Sequence, residues 1–253
     1  MIQSLEIKIA APAGVKIYSA MGSVLHGALM QQLDYDYAAL LHTQALRPYS
    51  QCVYYDKVRQ ATFWRLNTLN KQAQNEILGA AFALSSKVYL EQKNLEIQLL
   101  SKEYSAETTY DALAEKFFAH PLSGRIVKYE FLTSTSFKSE GNYVIFPQPA
   151  MLFNSLIRRW NAFADSNFLA AQDLAKDLSG EVYVKDYMLQ MRQYSVDGAR
   201  IPAFQGMYSL GMKGNIMSNR VIALLSEYAN YCGVGIKTAL GMGAVKSSLV
   251  EKL

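Results

Sequence analysis

Cysteine is nearly absent: Cys52 and Cys232 are the only two in 253 residues. So few thiols, so far apart, exclude a disulfide framework and a thiolate metal cluster, and make a reducing cytoplasm the natural compartment. Histidine is scarce as well. His26, His42 and His120 stand alone, and neither a His-x-x-x-His pair nor another metal-ligand spacing occurs. Helix capping explains Asp34 and Asp36, the close carboxylate pair of the first half. No metal and no other cofactor is therefore expected. No charge-free stretch approaches the roughly eighteen residues that a membrane span requires, so no membrane partner is expected. The opening Ser4–Ala10 alternates apolar with charged residues instead of following a basic patch with an apolar core, and a signal peptide is not expected either. A large excess of one charge is missing too. A net charge of +4 permits a nucleic-acid partner without demanding one.

What the chain contains is globular in composition, 51% hydrophobic and 18% charged. Leu5, Ile7 and Ile9 alternate with charged residues and predict a strand over Leu5–Ala10, broken by Pro12 and Gly14. Tyr18, Met21, Leu25, Ala28 and Leu29 recur at helical spacing and predict a helix over Val15–Leu33, followed by a short one over Tyr37–His42. Gln51–Val58 and Ala61–Leu69 read as strands, Lys71–Leu84 as a helix, and Val88–Glu91 and Leu95–Leu100 as extended pieces. A helical connection, Thr108–His120, ends at Pro121-Leu-Ser-Gly124. The pattern then restarts with a strand at Ile126–Thr133 and a helix at Ala150–Ala164 behind Pro147 and Pro149. Strands follow at Val182–Gln193 and Ala203–Leu210, a helix at Ile216–Tyr231 and a strand at Ala244–Val250, with 165–181 as extra helical-looking material. Both halves read β-α-β-β-α-β. The expected fold class is α+β, two tandem ferredoxin-like (RRM-like) domains over 1–122 and 123–253, with no sequence repeat between them.

Near the end lies Gly233-Val-Gly-Ile-Lys-Thr-Ala-Leu-Gly-Met-Gly243, two Gly-hydrophobe-Gly clips around Lys237 and Thr238. Glycine reaches positive φ and lets a ligand approach the main chain, and amides beside a lysine and a hydroxyl suit a phosphate. Both nucleotide-loop readings fail. The Gly-Lys-Ser/Thr ending of a nucleotide P-loop is lacking, because Lys237 sits between the clips, and a helix-like segment precedes the loop where a dinucleotide fingerprint needs a strand.

The loop resembles the C-terminal signature of the CRISPR-associated endoribonucleases that cut precursor CRISPR RNA within each repeat (the RAMP superfamily), in its spacing and in its place between last helix and last strand. Two further segments resemble that family. One is Phe131-Leu-Thr-Ser-Thr-Ser-Phe-Lys138, then Pro147-Gln-Pro149, then Phe153-Asn-Ser-Leu-Ile-Arg-Arg-Trp-Asn161. The other is Met21-Gly-Ser-Val-Leu-His26 followed by Leu40-Leu-His42 and Arg47-Pro-Tyr-Ser50. The resemblance implies that His42 is the catalytic histidine and that His26 stands about where members, which vary here, place another proton-transfer residue. Members commonly follow the histidine with a lysine. This chain has Arg47 near that spacing, with Lys57 and Arg59 beyond it.

The residues support the same chemistry independently. Cleavage of RNA by its own 2′-hydroxyl needs a base for that hydroxyl and an acid for the 5′-oxygen, and two histidines near neutral pKa can divide those tasks without a metal. The guanidinium of Arg47 could grip phosphate oxygens in pairs, although a solvated charge at a strand start would look the same. Gly233, Gly235, Lys237, Thr238, Gly241 and Gly243 are expected to contact RNA, with Lys138, Arg158 and Arg159 as further cations and Arg192 and Lys213 as outlying ones. Arg158 and Arg159 could equally form ion pairs on a solvated helix face. His120 reads as a helix C-terminal residue. The implied activity is a metal-independent endoribonuclease that leaves a 2′,3′-cyclic phosphate and a 5′-hydroxyl. Its partner would be the precursor CRISPR RNA repeat, with effector-complex subunits as further partners and a monomer or homodimer as its state. The alternative is a non-catalytic RNA-binding subunit of a CRISPR effector complex.

Overall fold

The computed structural model describes residues 1–166, 168–169, 172–196 and 198–251. Its first sheet follows from the alternation at the N-terminus. Strand β1 (Ile2–Ala10) turns Leu5, Ile7 and Ile9 inward and Glu6 and Lys8 to the other face, as the period of two requires. It lies between β3 (Ala61–Thr68) and β5 (Leu95–Thr108), antiparallel to both. With β2 (Tyr49–Asp56) and β4 (Lys87–Leu90) at the edges, the order is β2-β3-β1-β5-β4. The second sheet comprises β6 (Ile126–Thr135), β9 (Val182–Val196), β10 (Ala199–Met212) and β11 (Val245–Val250), in the order β11-β6-β10-β9. Setting the short β4 aside, both sheets have the ferredoxin-like arrangement, so the chain is an α+β protein with two such folds in tandem.

Each sheet buries one face under helices. Helix α1 (Met21–Met30) and α2 (Tyr35–Thr43) cover the first, joined by a run of α3 (Lys71–Ala73), a π-turn (Gln74–Leu78) and α4 (Gly79–Ala83). Leu25, Leu29, Trp64, Leu66 and Ile77 form that core. Helix α5 (Tyr110–Phe118), capped by Thr109, leads to the second half, where α6 (Pro149–Phe163) and α8 (Ile216–Cys232) cover the second sheet. Leu152, Trp160, Tyr208 and Leu225 fill that core, and Ile2, Leu69 and Tyr110 from the first half join it. The halves therefore share apolar packing.

Three expectations change. The helix expected over Val15–Leu33 is confined to Met21–Met30. Val15 and Tyr18 stay exposed, so residues before 21 have no apolar stripe to bury and no reason to wind. Strand β5 runs to Thr108 rather than Leu100, because Ser101–Thr108 continues the ladder against β1. A hairpin absent from the sequence reading, β7 (Phe137–Ser139) and β8 (Asn142–Val144), turns at Glu140-Gly141. Both turn residues have positive φ (49° and 81°), which is what a two-residue hairpin loop needs to match strand twist. The extra helical material resolves into α7 (Leu174–Gly180).

Candidate functional site

Helix α1 turns His26 inward, and the first residue of β2, Tyr49, meets it there. The tyrosine hydroxyl and His26 Nε2 share a 2.7 Å hydrogen bond, and the two rings lie nearly parallel at 10°. His42 sits in the last turn of α2 and is exposed. The loop back to β2 carries Arg47, whose Nε donates to the Leu41 carbonyl at 3.2 Å and satisfies one of the open acceptors at the end of α2. His26, His42 and Arg47 are thus brought together around Tyr49. Burial, followed by the charges of Arg47 and His42, lowers the His26 pKa from 6.5 to about 4. Burial likewise pushes the Tyr49 phenol up. At neutral pH His26 is an uncharged imidazole. Only 7% exposed, it does not present itself to a substrate as its expected proton-transfer role requires.

The lowered His26 pKa has a consequence for stability. The unfolded chain binds this proton near pH 6.5 and the folded one only near 4, so the folded state is fully favoured above 6.5 and loses stability as pH falls through that window. A shift of that size is worth about 3 kcal/mol. Glu6, lowered from 4.5 to about 2 by hydrogen bonds from Arg59, Tyr54 and Arg65 against the cost of its burial, adds to the loss only below pH 4.5. Denaturant unfolding from pH 7 to 4.5 should show this loss in the wild type and a flatter profile in His26→Gln, which can still hydrogen-bond but cannot titrate.

The glycine loop begins at the end of α8. Gly233, Gly235, Gly241 and Gly243 all have positive φ, as does Lys237 at 53°. Most of its amides bond within the protein: Val234 to Gly243 O, Gly235 to Ser155 Oγ, Ile236 to Ser136 O and Gly243 to Ser134 O, all at 2.9 or 3.0 Å. The expected row of amides facing phosphate is therefore largely replaced by amides that fasten the loop to β6 and α6. Thr238 departs from expectation as well. It is buried, with its methyl packed between Gly233 and Gly243, so it spaces the two clips rather than offering a hydroxyl to phosphate. Lys237 alone of the pair is exposed. Gln51 joins the loop to the first half. Its Nε2 donates to Gly22 O at 2.7 Å and Ala239 O at 3.1 Å, while Trp64 Nε1 donates to its Oε1 at 2.7 Å.

Between loop, α6, α7 and the β7–β8 hairpin lies an open groove of about 730 Å³. Ala45 and Leu46, from the segment between His42 and Arg47, form part of its wall. Among the described residues, Lys138, Arg158, Arg159, Lys176 and Lys237 line it against the single carboxylate of Asp173. Exposed Arg158 projects from α6, but Arg159 is buried and its Nη2 donates to Gly235 O at 3.2 Å, bracing the loop. That overturns its reading as a solvated cation on the helix face. Arg192, Lys213 and His120 do not line this groove. Arg59 is held by Glu6 and Asp56 at 2.8 Å on the other face of the first sheet, which removes it as a substitute for Arg47. Gln51 and Lys176 had no signal in the sequence, and Tyr49 none beyond its place in the Arg47–Ser50 segment, since the tertiary arrangement of their elements sets where they lie.

Residues 129–245 match the family model described as CRISPR-associated endoribonuclease Cas6. The chain is 30% identical over 249 residues to the CRISPR-associated endoribonuclease Cas6 of Mycobacterium tuberculosis, covering 96% of this chain and 76% of that one. It is also 30% identical over 226 residues to the protein of that name from Streptococcus thermophilus, covering 87% and 88%. Among solved structures, a Cas6 product complex superposes with TM-score 0.79 at 19% identity, over 98% of this chain and 100% of that one. Cas6 from Thermus thermophilus superposes with TM-score 0.69 at 19% identity, over 98% of each.

Proposed function

This chain belongs to the CRISPR-associated endoribonuclease Cas6 family, and from that premise we propose that it cuts precursor CRISPR RNA within the repeat, without a metal, through the RNA's own 2′-hydroxyl. The observation that carries the reading is a groove lined, among the described residues, by five cations and one carboxylate, whose wall includes Ala45 and Leu46 from the segment that follows the exposed His42. An RNA strand lying in that groove neutralises Lys138, Arg158, Lys176 and Lys237 with its phosphates, and its scissile phosphate rests beside His42. The halves 1–122 and 123–253 act as two ferredoxin-like domains, the first supplying His42, His26 and Arg47 and the second the glycine loop.

In the reaction the His42 imidazole takes the proton of the 2′-hydroxyl as O2′ attacks phosphorus. The O2′–P bond forms, the P–O5′ bond breaks, and O5′ takes up a proton from solvent. The products are a 2′,3′-cyclic phosphate and a 5′-hydroxyl. Arg47 faces the charge that grows on the non-bridging oxygens, where a fixed cation acts most strongly. His26 serves from beneath, as a positioning residue. Neutral and bonded to Tyr49, it adds no charge to compete with Arg47 and fixes the start of β2. The cytoplasm is its place of action, and delivery of the product to an effector complex would follow. A repeat RNA with a single 2′-deoxy nucleotide at the cut tests the chemistry. It should bind as the all-ribose strand does and remain whole. A cut in that strand would rule out the attack by O2′.

A further inference from the structure

At the far end of α8 from the glycine loop lies a second concavity of about 480 Å³, walled by the connection Pro121–Arg125, the first turn of α8 and the end of β11. Seventeen residues of helix separate the two regions, about 25 Å at 1.5 Å per residue. The wall is firmly built. A Cβ on Gly124 would stand 2.0 Å from the Val250 carbonyl, so the connection runs directly against β11, and Met212 N donates to Arg125 O at 2.8 Å.

Three features of this wall point to a ligand. The guanidinium groups of Arg125 and Arg220 share it with one carboxylate, Glu251, and among the described residues neither arginine forms a salt bridge. Among the described residues Arg220 Nε has no partner. Asn219, 1% exposed, also lines the concavity, and its Oδ1 has no partner among the described residues. The orientation of that amide is determined. Nδ2 donates to Gly214 O at 2.9 Å, and a flipped amide would set two acceptors against each other. Leaving a buried acceptor unmet costs about 1–3 kcal/mol, which a donor on a ligand would recover. The start of α8 adds the positive end of a long helix dipole.

We infer that this concavity binds a ribonucleotide unit, with the phosphate on Arg125 and Arg220 and a ribose hydroxyl donating to Asn219 Oδ1. An anion alone would satisfy the arginines but not the amide oxygen, whereas a ribose beside its phosphate supplies both. The unit can come from an RNA strand that continues beyond the catalytic groove, which rests on the function proposed above, or from a free mononucleotide, which does not.

The test uses the full chain and the Arg125→Gln/Arg220→Gln variant, whose altered side chains bear no part of the core. For the RNA source, affinity for an uncleavable repeat RNA is measured across a potassium chloride series. Losing one phosphate contact should make the slope of log K against log salt shallower by about 0.7. Single-turnover cleavage at saturating protein should be unchanged. For the free source, adenosine monophosphate should raise the melting temperature of the wild type and leave the variant's unmoved. Either result supports the site. Equal slopes together with equal thermal shifts would overturn it. A 2′,3′-dideoxy analogue that stabilises as well as adenosine monophosphate would overturn the role of Asn219. Should the double variant unfold, each single substitution is read the same way. Because binding is read on uncut RNA, failure of the cleavage reading leaves this result interpretable.

Discussion

Replacing His42 by alanine should lower single-turnover cleavage of a repeat RNA by about 10²-fold to 10⁴-fold, the range that a positioned proton-transfer group supplies. RNA affinity should change little. His42 is exposed in the last turn of α2 and contributes nothing to either apolar core, so its loss leaves the fold and the groove cations as they were. His26→Ala should behave differently. That change leaves the buried Tyr49 hydroxyl without its 2.7 Å partner and opens space beside β2, so stability falls together with rate. Gel assays at saturating protein, paired with a melting curve for each variant, separate the two. The alternative of a non-catalytic RNA-binding subunit predicts that His42→Ala changes neither rate nor binding, because no cleavage would be present to lose.

The second large effect is expected at Gly243. Its φ of 70° disfavours any residue with a Cβ, and a Cβ built there would lie 2.0 Å from the Val234 carbonyl, inside the contact that holds the two clips of the loop together. Left-handed backbone costs about 1–2 kcal/mol for an ordinary residue. The clash falls on backbone that cannot step aside without breaking the Val234 N to Gly243 O and Gly243 N to Ser134 O bonds. Gly243→Ala should therefore cost about 3 kcal/mol or more, lower the melting temperature by several degrees, and weaken RNA binding by displacing Lys237. Gly27 provides the control. It lies inside α1 with nothing within 4 Å of a built Cβ and no positive φ, so Gly27→Ala should stabilise the protein by about 0.5–1 kcal/mol. Opposite signs for one chemical change at two glycines would separate backbone strain from general sensitivity.

Periodicity made the architecture legible. Alternation in Leu5, Ile7 and Ile9 marked the strand on which the first sheet is built, and the apolar stripe Leu152, Leu156 and Trp160 marked α6. The spacing of the glycine clips also marked a real structural unit, since all four glycines adopt backbone that needs them. What stayed hidden was which polar side chains point inward. Arg159 and Thr238 read as solvent-facing because arginine and threonine usually are, yet the loop folds over both. Tyr49 and Gln51 gained their places only when β2 met α1 and the loop, contacts that span 23 and 188 residues of sequence. The β7–β8 hairpin was missed because its strands are three residues long, too short for alternation to register. Of the candidate cations, only packing could distinguish Arg47, at the end of α2, from Arg59, drawn into pairs with Glu6 and Asp56.

The chemistry proposed for this protein is metal-free attack by the RNA's own 2′-hydroxyl. Its most direct measurement is to incubate the purified protein with a repeat RNA from its own host in excess EDTA and to determine the chemistry of the new ends. One cut within the repeat is expected, with a 2′,3′-cyclic phosphate on the upstream fragment and a 5′-hydroxyl on the downstream one. Tight binding with no cut, or a cut leaving a 3′-hydroxyl and a 5′-phosphate, would contradict it.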